Sequence, residues 1–154
     1  MSGTEIEVRW AAGEEEMLGA IAVREEVFCR EQGVSRAEEL DGRDEEARHV
    51  VALAPGGGQV IGTARVLVDG EDAKIGRVAV ERVWRLRGIA SRMLDLALDG
   101  ARERGCTRAR LAAQIEAAAL YERAGFAVES EPFEEAGIMH VWMGLQFAPR
   151  VAPP

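Results

Sequence analysis

Alternating or continuous runs of apolar residues predict several short β-strands along the chain. Turns rich in glycine and aspartate separate these runs, and a Gly-Gly-Gly-Gln turn before residue 60 joins two of them as an antiparallel hairpin. The triple glycine precedes a strand and lacks the Gly-Lys-Ser/Thr ending of a nucleotide-binding phosphate loop, which excludes that motif. The predicted strands are residues 6–10, 49–54, 60–68, 73–80, 109–113, 127–131 and 139–147.

Three further stretches place apolar residues at helical spacing. Residues 14–31 begin with three glutamates, which suit the positive end of a helix, and residues 88–104 end near a glycine that can close one. Residues 116–124 form a shorter predicted helix, whereas the polar segment 33–46 is predicted to be a long loop, which is often functional in a compact domain. The order of these elements predicts an α/β fold, with a mixed sheet and helices on both faces.

Length and composition indicate one folded domain. The chain has 154 residues, of which 47% are hydrophobic and 30% charged. It has no apolar run of about 18 residues and no basic and apolar leader of the secretory type. Cys29 and Cys106 share no metal-ligand spacing with the histidines. We therefore expect a cytoplasmic protein with reduced thiols, no metal and no membrane contact, folded over residues 5–147 and followed by a flexible, proline-rich tail at 148–154.

Charge is distributed unevenly. Residues 1–50 carry 14 acidic and 6 basic side chains, whereas residues 77–110 carry nine arginines and four acids within a chain of net charge −8. A nucleic-acid-binding protein needs a net basic face, so this pattern argues against nucleic acid as a partner. It fits a polyanionic ligand at the middle segment and a cationic partner at the acidic segment. Solvated helix ends would give the same acidic runs, and that interpretation stays open.

The segment R-L-R-G-I-A (85–90) lies where a predicted strand gives way to a predicted helix. The first turn of a helix exposes backbone N–H groups without partners, and a phosphate can accept several of them. Gly88 and the small Ala90 let an anion approach the backbone, and Arg85 and Arg87 add positive charge. The segment therefore predicts a phosphate site. The alternative is a solvent-exposed basic turn with a glycine for backbone geometry.

Two motifs resemble those of the GNAT acyltransferase superfamily. The segment 85–90 resembles its Q/R-x-x-G-x-G/A signature, and Q-I-E-A-A-A-L-Y-E-R-A-G-F (114–126) resembles its second landmark, A-x-x-x-Y-x-x-x-G-F. The resemblance covers residues 5–147, and it implies a mixed, mostly antiparallel sheet with one splayed pair of parallel strands and helices on both faces. The segments similar to the ElaA-type branch are 24–34, 39–44, 48–50, 114–121 and 131–143.

The resemblance implies that acetyl-CoA lies between the splayed strands 73–80 and 109–113. The residues implied to contact its pantetheine arm are Val78, Ala79, Val80 and Gln114. The N–H of Val80 would also polarise the thioester carbonyl. The residues implied to bind its pyrophosphate are Arg85, Leu86, Arg87, Gly88, Ile89, Ala90 and Ser91. Either Arg87 or Arg92 would reach the 3′-phosphate.

Tyr121 is implied to be the general acid. It is the only tyrosine, it falls where the superfamily places that acid, and a phenol can protonate the departing thiolate. Packing of its ring against the sheet is the alternative. No general base is evident, and the candidates are Glu31 at a helix end, His140 on the last strand and Asp41 in the long loop. Glu31 as a solvated acid and His140 as a core histidine are the alternatives, and His49 is interpreted as structural.

The leading hypothesis is an acetyl-CoA-dependent N-acetyltransferase. An unidentified primary amine, on a small molecule or a protein, would attack the thioester directly in a ternary complex, without a metal or a covalent enzyme intermediate. The first alternative is an acyl-CoA-binding sensor without efficient turnover. A nucleotide-dependent regulator is disfavoured, because a Walker lysine and a G-x-G-x-x-G motif are absent. An exposed closing strand suggests a homodimer.

Overall fold

The computed structural model describes residues 5–148, so nearly all of the predicted tail at 148–154 lies outside the described residues. The strands are β1 (Glu7–Trp10), β2 (Arg48–Leu53), β3 (Val60–Asp69), β4 (Asp72–Val80), β5 (Arg108–Gln114), β6 (Ala127–Val128), β7 (Phe133–Glu135) and β8 (Ile138–Gln146). The helices are α1 (Gly13–Arg24), α2 (Arg36–Glu39), α3 (Ile89–Glu103) and α4 (Ala118–Arg123). Within this part of the chain no helix is long and apolar enough to span a membrane.

The strands form one sheet in the order β1-β2-β3-β4-β5-β8-β6, and β7 also pairs with β8. Every pairing is antiparallel except that of β4 with β5, which is parallel. This parallel pairing covers only 72–74 of β4 and 108–110 of β5, and beyond it the two strands separate. The predicted mixed sheet with one splayed parallel pair is therefore confirmed.

Helices cover both faces of the sheet, as predicted. On one face α3 and α4 enclose the larger core, in which Met93 of α3 and Phe126 after α4 pack against inward residues of the central strands. On the other face α1 contributes Ala20 and Val23 to a smaller core over β2 and β3. Because α1 covers only that part of the sheet, the second face of β5 and β8 is left for the cleft described below.

The structure differs from the predicted elements in four places. The helix predicted at 14–31 is α-helical only to Arg24 and continues as a π-helix over Glu25–Glu31. The predicted loop 33–46 contains α2, whose first turn is capped by the Ser35 hydroxyl. The strand predicted at 127–131 is only β6, because β7 occupies the next stretch of β8. The closing strand β8 is paired on both sides, so it is not a free edge for a second subunit.

Candidate active site

The separation of β4 from β5 opens a cleft through the sheet, with a volume of about 550 Å³. The π-helix, α2, α4 and the β7–β8 turn contribute the rest of its walls. The predicted site residues that line it are Asp41, Val78, Ala79, Val80, Arg85, Gln114, Tyr121 and His140. The topology thus brings together side chains that are up to 99 positions apart in the sequence, from Asp41 to His140.

A β-bulge shapes the β4 wall of the cleft. Two residues, Arg77 and Val78, lie opposite the single residue Ala64 of β3, and Arg77 has a left-handed φ of 53°. Beyond the bulge, the N–H of Glu81 donates to β3, at 2.9 Å from the Ile61 carbonyl. Neighbouring residues of a strand direct their backbone groups to opposite sides, so those of Val80 point away from β3 and into the cleft.

The turn before α3 presents unpaired backbone N–H groups. The first α-helical hydrogen bond of α3 joins the Arg92 N–H to the Gly88 carbonyl at 3.1 Å, so the N–H groups of residues 89–91 have no intrahelical partner. Leu86 and Gly88 both have left-handed φ values, 65° and 76°. A Cβ on Gly88 would meet no atom within 4 Å, so backbone conformation, and not a neighbouring atom, requires this glycine.

The arginines of this turn have partners in the structure. Arg85 donates from Nε to the Val80 carbonyl at 2.8 Å and from Nη2 to Glu31 at 2.9 Å. Arg87 lies over the Trp84 ring, with Cζ 5.1 Å from the ring centre. Arg92 donates to a backbone carbonyl of the N-terminal segment. Glu31 therefore contacts the turn before α3, and it does not line the cleft in which it was predicted to act as a base.

Tyr121 lies on α4 with its ring packed edge-on to Phe126, at a centroid distance of 6.1 Å. The residue is only 7% exposed, yet it lines the cleft. Burial raises the pKa of Tyr121 to about 12, because a phenolate would lose its hydration. The phenol is therefore protonated at neutral pH and can donate a proton, as a general acid must.

His140 and Gln114 are directly opposite each other on β8 and β5. His140 Nδ1 lies 2.7 Å from the Ile138 carbonyl, which can only accept, so the hydrogen of a neutral imidazole is on Nδ1 and Nε2 is free to accept a proton. Gln114 donates to Gln32 at 2.8 Å, which links β5 to the end of the π-helix. His49 bonds to the Asp44 carbonyl and does not line the cleft.

A network of buried charges, which the sequence analysis missed, braces the loop between the π-helix and β2. Arg24 is fully buried and contacts Glu39 and Asp44, the latter at 2.7 Å. Arg65 is also buried and binds Asp41 at 2.7 Å and Asp44 at 3.1 Å. The hydrogen bond from Arg65 holds the pKa of Asp41 well below its usual range. Burial would raise the pKa of Asp44, but the arginines outweigh it and lower that pKa.

Arg77 extends this network to the bulge of β4. Its guanidinium donates to the Glu39 carbonyl at 2.9 Å and lies 3.4 Å from Asp41. Glu39 and Asp41 are therefore paired with arginines and are not free to attract a cationic acceptor. This weakens the expectation, drawn from the acidic first third of the chain, that the partner is cationic. For Asp41 the same contacts oppose a role as general base, because a base needs a free lone pair and an appreciable proton affinity.

Neither cysteine is paired in the structure, Cys106 being buried and Cys29 half-buried. The pKa of each thiol is raised, mainly by burial, so both thiols are poor nucleophiles at neutral pH. Within residues 5–148 no group of three or more His, Cys, Asp or Glu side chains is placed to hold a metal ion.

Comparison with known proteins agrees with this geometry. The chain is 33% identical to the uncharacterised N-acetyltransferase YjcF of Bacillus subtilis (strain 168) over 134 residues, which are 86% of this chain and 94% of that one. Its structure is similar to an acyl-CoA N-acyltransferase from Pseudomonas aeruginosa, with a TM-score of 0.76, 28% identity and coverage of 91% and 98%. Escherichia coli ElaA has the same fold, with a TM-score of 0.80, 23% identity and coverage of 91% and 99%.

The model of one family, the acetyltransferase (GNAT) domain, matches residues 11–147. That match spans every strand of the sheet except β1, together with the cleft and the turn before α3. The chain therefore belongs to the GNAT acetyltransferase family.

Proposed function

We propose that the protein is an acetyl-CoA-dependent N-acetyltransferase that acts on a primary amine by direct attack in a ternary complex. The observation that carries the proposal is the path of the backbone from β4 into α3. It leads from the splay of β4 and β5, past the Val80 backbone that faces the cleft, to the N–H groups of residues 89–91, which have no intrahelical partner. An extended arm can pair with the strand end while a phosphate occupies the helix end.

The residues of the cofactor end have distinct proposed roles. The N–H groups of residues 89–91, with the turn 85–88, hold the pyrophosphate. Binding of that group would draw the Arg85 guanidinium from Glu31 to the phosphate oxygens, which accept bidentate hydrogen bonds. A second cavity of about 430 Å³ beside the turn is lined by Glu5, Ile6, Pro55, Trp84, Arg87 and Arg92. Its two arginines against one glutamate suit the 3′-phosphate end of the ligand.

In the proposed reaction the amine nitrogen bonds to the thioester carbonyl carbon, the C–S bond breaks and an amide and a free thiol result. The N–H of Val80 stabilises the negative charge on the carbonyl oxygen. His140 Nε2 accepts the amine proton, and the Tyr121 phenol protonates the departing thiolate. The base is assigned to His140 over Glu31 because His140 lines the cleft with one nitrogen free, whereas Glu31 binds Arg82 and Arg85.

Three finer assignments rest on the sequence. We propose that the chain is of the ElaA-type branch, on the segments that resemble it, and that it acts in the cytoplasm. The homodimer stays a prediction, and it would have to use a surface other than β8. The sensor alternative differs from the enzyme in one respect, since a sensor binds acetyl-CoA without forming an acetylated product.

Replacing Gly88 with leucine is expected to weaken acetyl-CoA binding at least tenfold, or about 1.4 kcal/mol, measured by calorimetric titration. The new side chain would occupy the open space at the anion-binding turn. Gly105→Leu is the matched control, because Gly105 follows the other end of α3 with a similar left-handed φ and similar open space. Equal losses of affinity in both variants would refute the assignment of this turn to phosphate, as would a wild-type protein that binds neither acetyl-CoA nor CoA.

Replacing His140 with glutamine is expected to lower kcat/KM for the amine by about 10²-fold, since glutamine cannot accept the proton. His49→Gln is the control, because His49 is the other histidine and lies outside the cleft. The measurement is the rate of thiol release with saturating acetyl-CoA. If both variants retain wild-type rates, His140 is not the base.

A further inference from the structure

Lys74 lines the cleft and forms a pair of cations with Arg110, which lies beside it on β5. Lys74 is the only lysine in the chain. It is directly opposite Arg110 at the last paired position of β4 and β5, where the strands begin to separate. Ile75 and Leu111, the next residues on each strand, point into the core under α3. Lys74 and Arg110 therefore project from the other face, the one that α1 leaves uncovered.

Both cations lie over the same aromatic ring. Lys74 Nζ is 5.5 Å and Arg110 Cζ is 4.9 Å from the centre of the Trp142 ring. Trp142 also stacks with Phe133, and this contact fixes the indole in place. Like charges directly opposite each other on paired strands are unfavourable, and one indole offsets only part of that cost.

Carboxylates neutralise this pair only in part, since Glu129 reaches Arg110 alone. No Asp or Glu oxygen of residues 5–148 lies within ion-pair distance of Lys74. The buried Nε of Arg110 lies 3.5 Å from a Glu129 carboxylate oxygen, an ion-pair contact that does not form a hydrogen bond in the described structure. Two residues away on the same face, Arg108 makes a bidentate pair with Asp72, at 3.0 and 2.8 Å. Arg108 is thus fully paired, whereas Lys74 and Arg110 together share one carboxylate and keep a net positive charge.

The pair is too far from the turn before α3 to serve the cofactor phosphates. Lys74 and Val80 are six positions apart on β4, about 20 Å at the usual strand rise. Lys74 and Trp142 do line the cleft, at the end away from that turn. The buried network beside them adds no net charge, since the three carboxylates of Glu39, Asp41 and Asp44 are matched by three arginines, Arg24, Arg65 and Arg77.

We infer that the amine acceptor carries an anionic group, a carboxylate or a phosphate, which Lys74 and Arg110 bind over Trp142. This inference rests on the proposed acetyltransferase function and specifies its substrate class. The amine of the acceptor lies towards His140, where Glu135 at the end of β7 also lines the cleft and favours an ammonium group. The acceptor is a small molecule with its amine and its anion at opposite ends.

The first test needs no acetyl-CoA. The three tryptophan indole N–H signals are followed by NMR during titration with inorganic phosphate and, separately, with succinate. The Trp142 signal is expected to move saturably with one or both anions, and to stay fixed in the Lys74→Met/Arg110→Met variant. Which of the two anions moves it decides between phosphate and carboxylate.

Two controls make this titration specific. Arg108→Met removes a paired cation from the same face and leaves the Trp142 response intact. Trp10 is the internal reference, whereas Trp84 lies beside the turn before α3 and reports the proposed cofactor site. The inference is overturned if the Trp142 signal moves with neither anion, or if it moves equally in the double variant. This holds whether or not the Trp84 signal moves.

The second test compares acceptors matched in length, namely 4-aminobutyrate, 3-aminopropyl phosphate and 4-aminobutanol, within a wider amine panel. Anionic amines are expected to be preferred in kcat/KM by about tenfold or more, the usual worth of a hydrogen bond to a charged group. The Lys74→Met/Arg110→Met variant is expected to lose that preference through KM. A panel in which uncharged or cationic amines react best contradicts the inference while leaving the acetyltransferase proposal standing.

Discussion

Replacing Tyr121 with phenylalanine is expected to lower kcat by about 10²-fold or more, the usual contribution of a general acid. The change removes one hydroxyl group and keeps the ring, so packing against Phe126 is preserved. Without the phenol, the thiolate must leave as an anion or take a proton from water. Steady-state kinetics at saturating acetyl-CoA measures the effect.

Two accompanying measurements separate a chemical role from a structural one. Acetyl-CoA affinity and the thermal midpoint are expected to stay near their wild-type values. A fall in kcat of less than threefold would show that Tyr121 is not the acid. An acyl-CoA sensor would form no acetylated amine in the wild type, and the substitution would then leave its ligand binding untouched.

The raised pKa of Tyr121 adds a pH signature. A phenol at the ordinary pKa of about 10 would begin to ionise, and the enzyme to lose its acid, above about pH 9. With the pKa of Tyr121 raised to about 12 by burial, the proton stays on the oxygen through that range. No alkaline loss of kcat is expected from this group below about pH 11. Rapid assays across pH 7–10.5 with a stability control check this.

The parts of the fold that follow local rules could be predicted from the sequence. Apolar runs indicate most strands of the sheet. The helical spacing of apolar residues and the glycines at its two ends indicate α3. The cleft could also be predicted, through the resemblance of residues 85–90 and 114–126 to two motifs of the GNAT superfamily. In each case the signal is carried by residues that are close together in the chain.

What could not be predicted depends on distant partners. Glu31 and Arg85 are in contact although they are 54 positions apart in the sequence. The residues next to Glu31 in the sequence do not indicate whether its side chain lines the cleft or contacts the turn before α3. The strand β7 is only three residues long and exists because β8 supplies its partners. The buried charge network looked like a solvated acidic loop, because a sequence does not reveal which carboxylates meet arginines from other strands.

The network predicts the largest effect on stability. Replacing Arg24 with methionine is expected to cost about 3–5 kcal/mol in the free energy of unfolding, the usual cost of removing one partner from a buried ion pair. Arg24 is 0% and Glu39 only 4% exposed, so the glutamate would be left with Arg77, whose Nε is 3.5 Å away. For a chain of this length that corresponds to a fall of roughly 6–20 °C in Tm.

Arg30→Met is the matched control, because Arg30 is 73% exposed and its pair with Glu26 spans 3.6 Å. An exposed pair contributes about 0–1 kcal/mol, so this variant is expected to unfold near the wild-type temperature. Urea unfolding of both proteins measures the difference. Equal stabilities would contradict the role given to the network.

A double variant, Arg24→Met with Glu39→Gln, distinguishes a lost attraction from a stranded charge. If the cost arises from an unpaired buried carboxylate, removing that charge is expected to restore a substantial part of the stability. In the double variant Arg77 would still contact the backbone carbonyl at position 39 and the Asp41 carboxylate. The loop between the π-helix and β2 would therefore keep part of its contacts with β4. The double variant is therefore expected to unfold at a higher urea concentration than Arg24→Met alone, and equal midpoints would show that the lost attraction, and not the stranded charge, sets the cost.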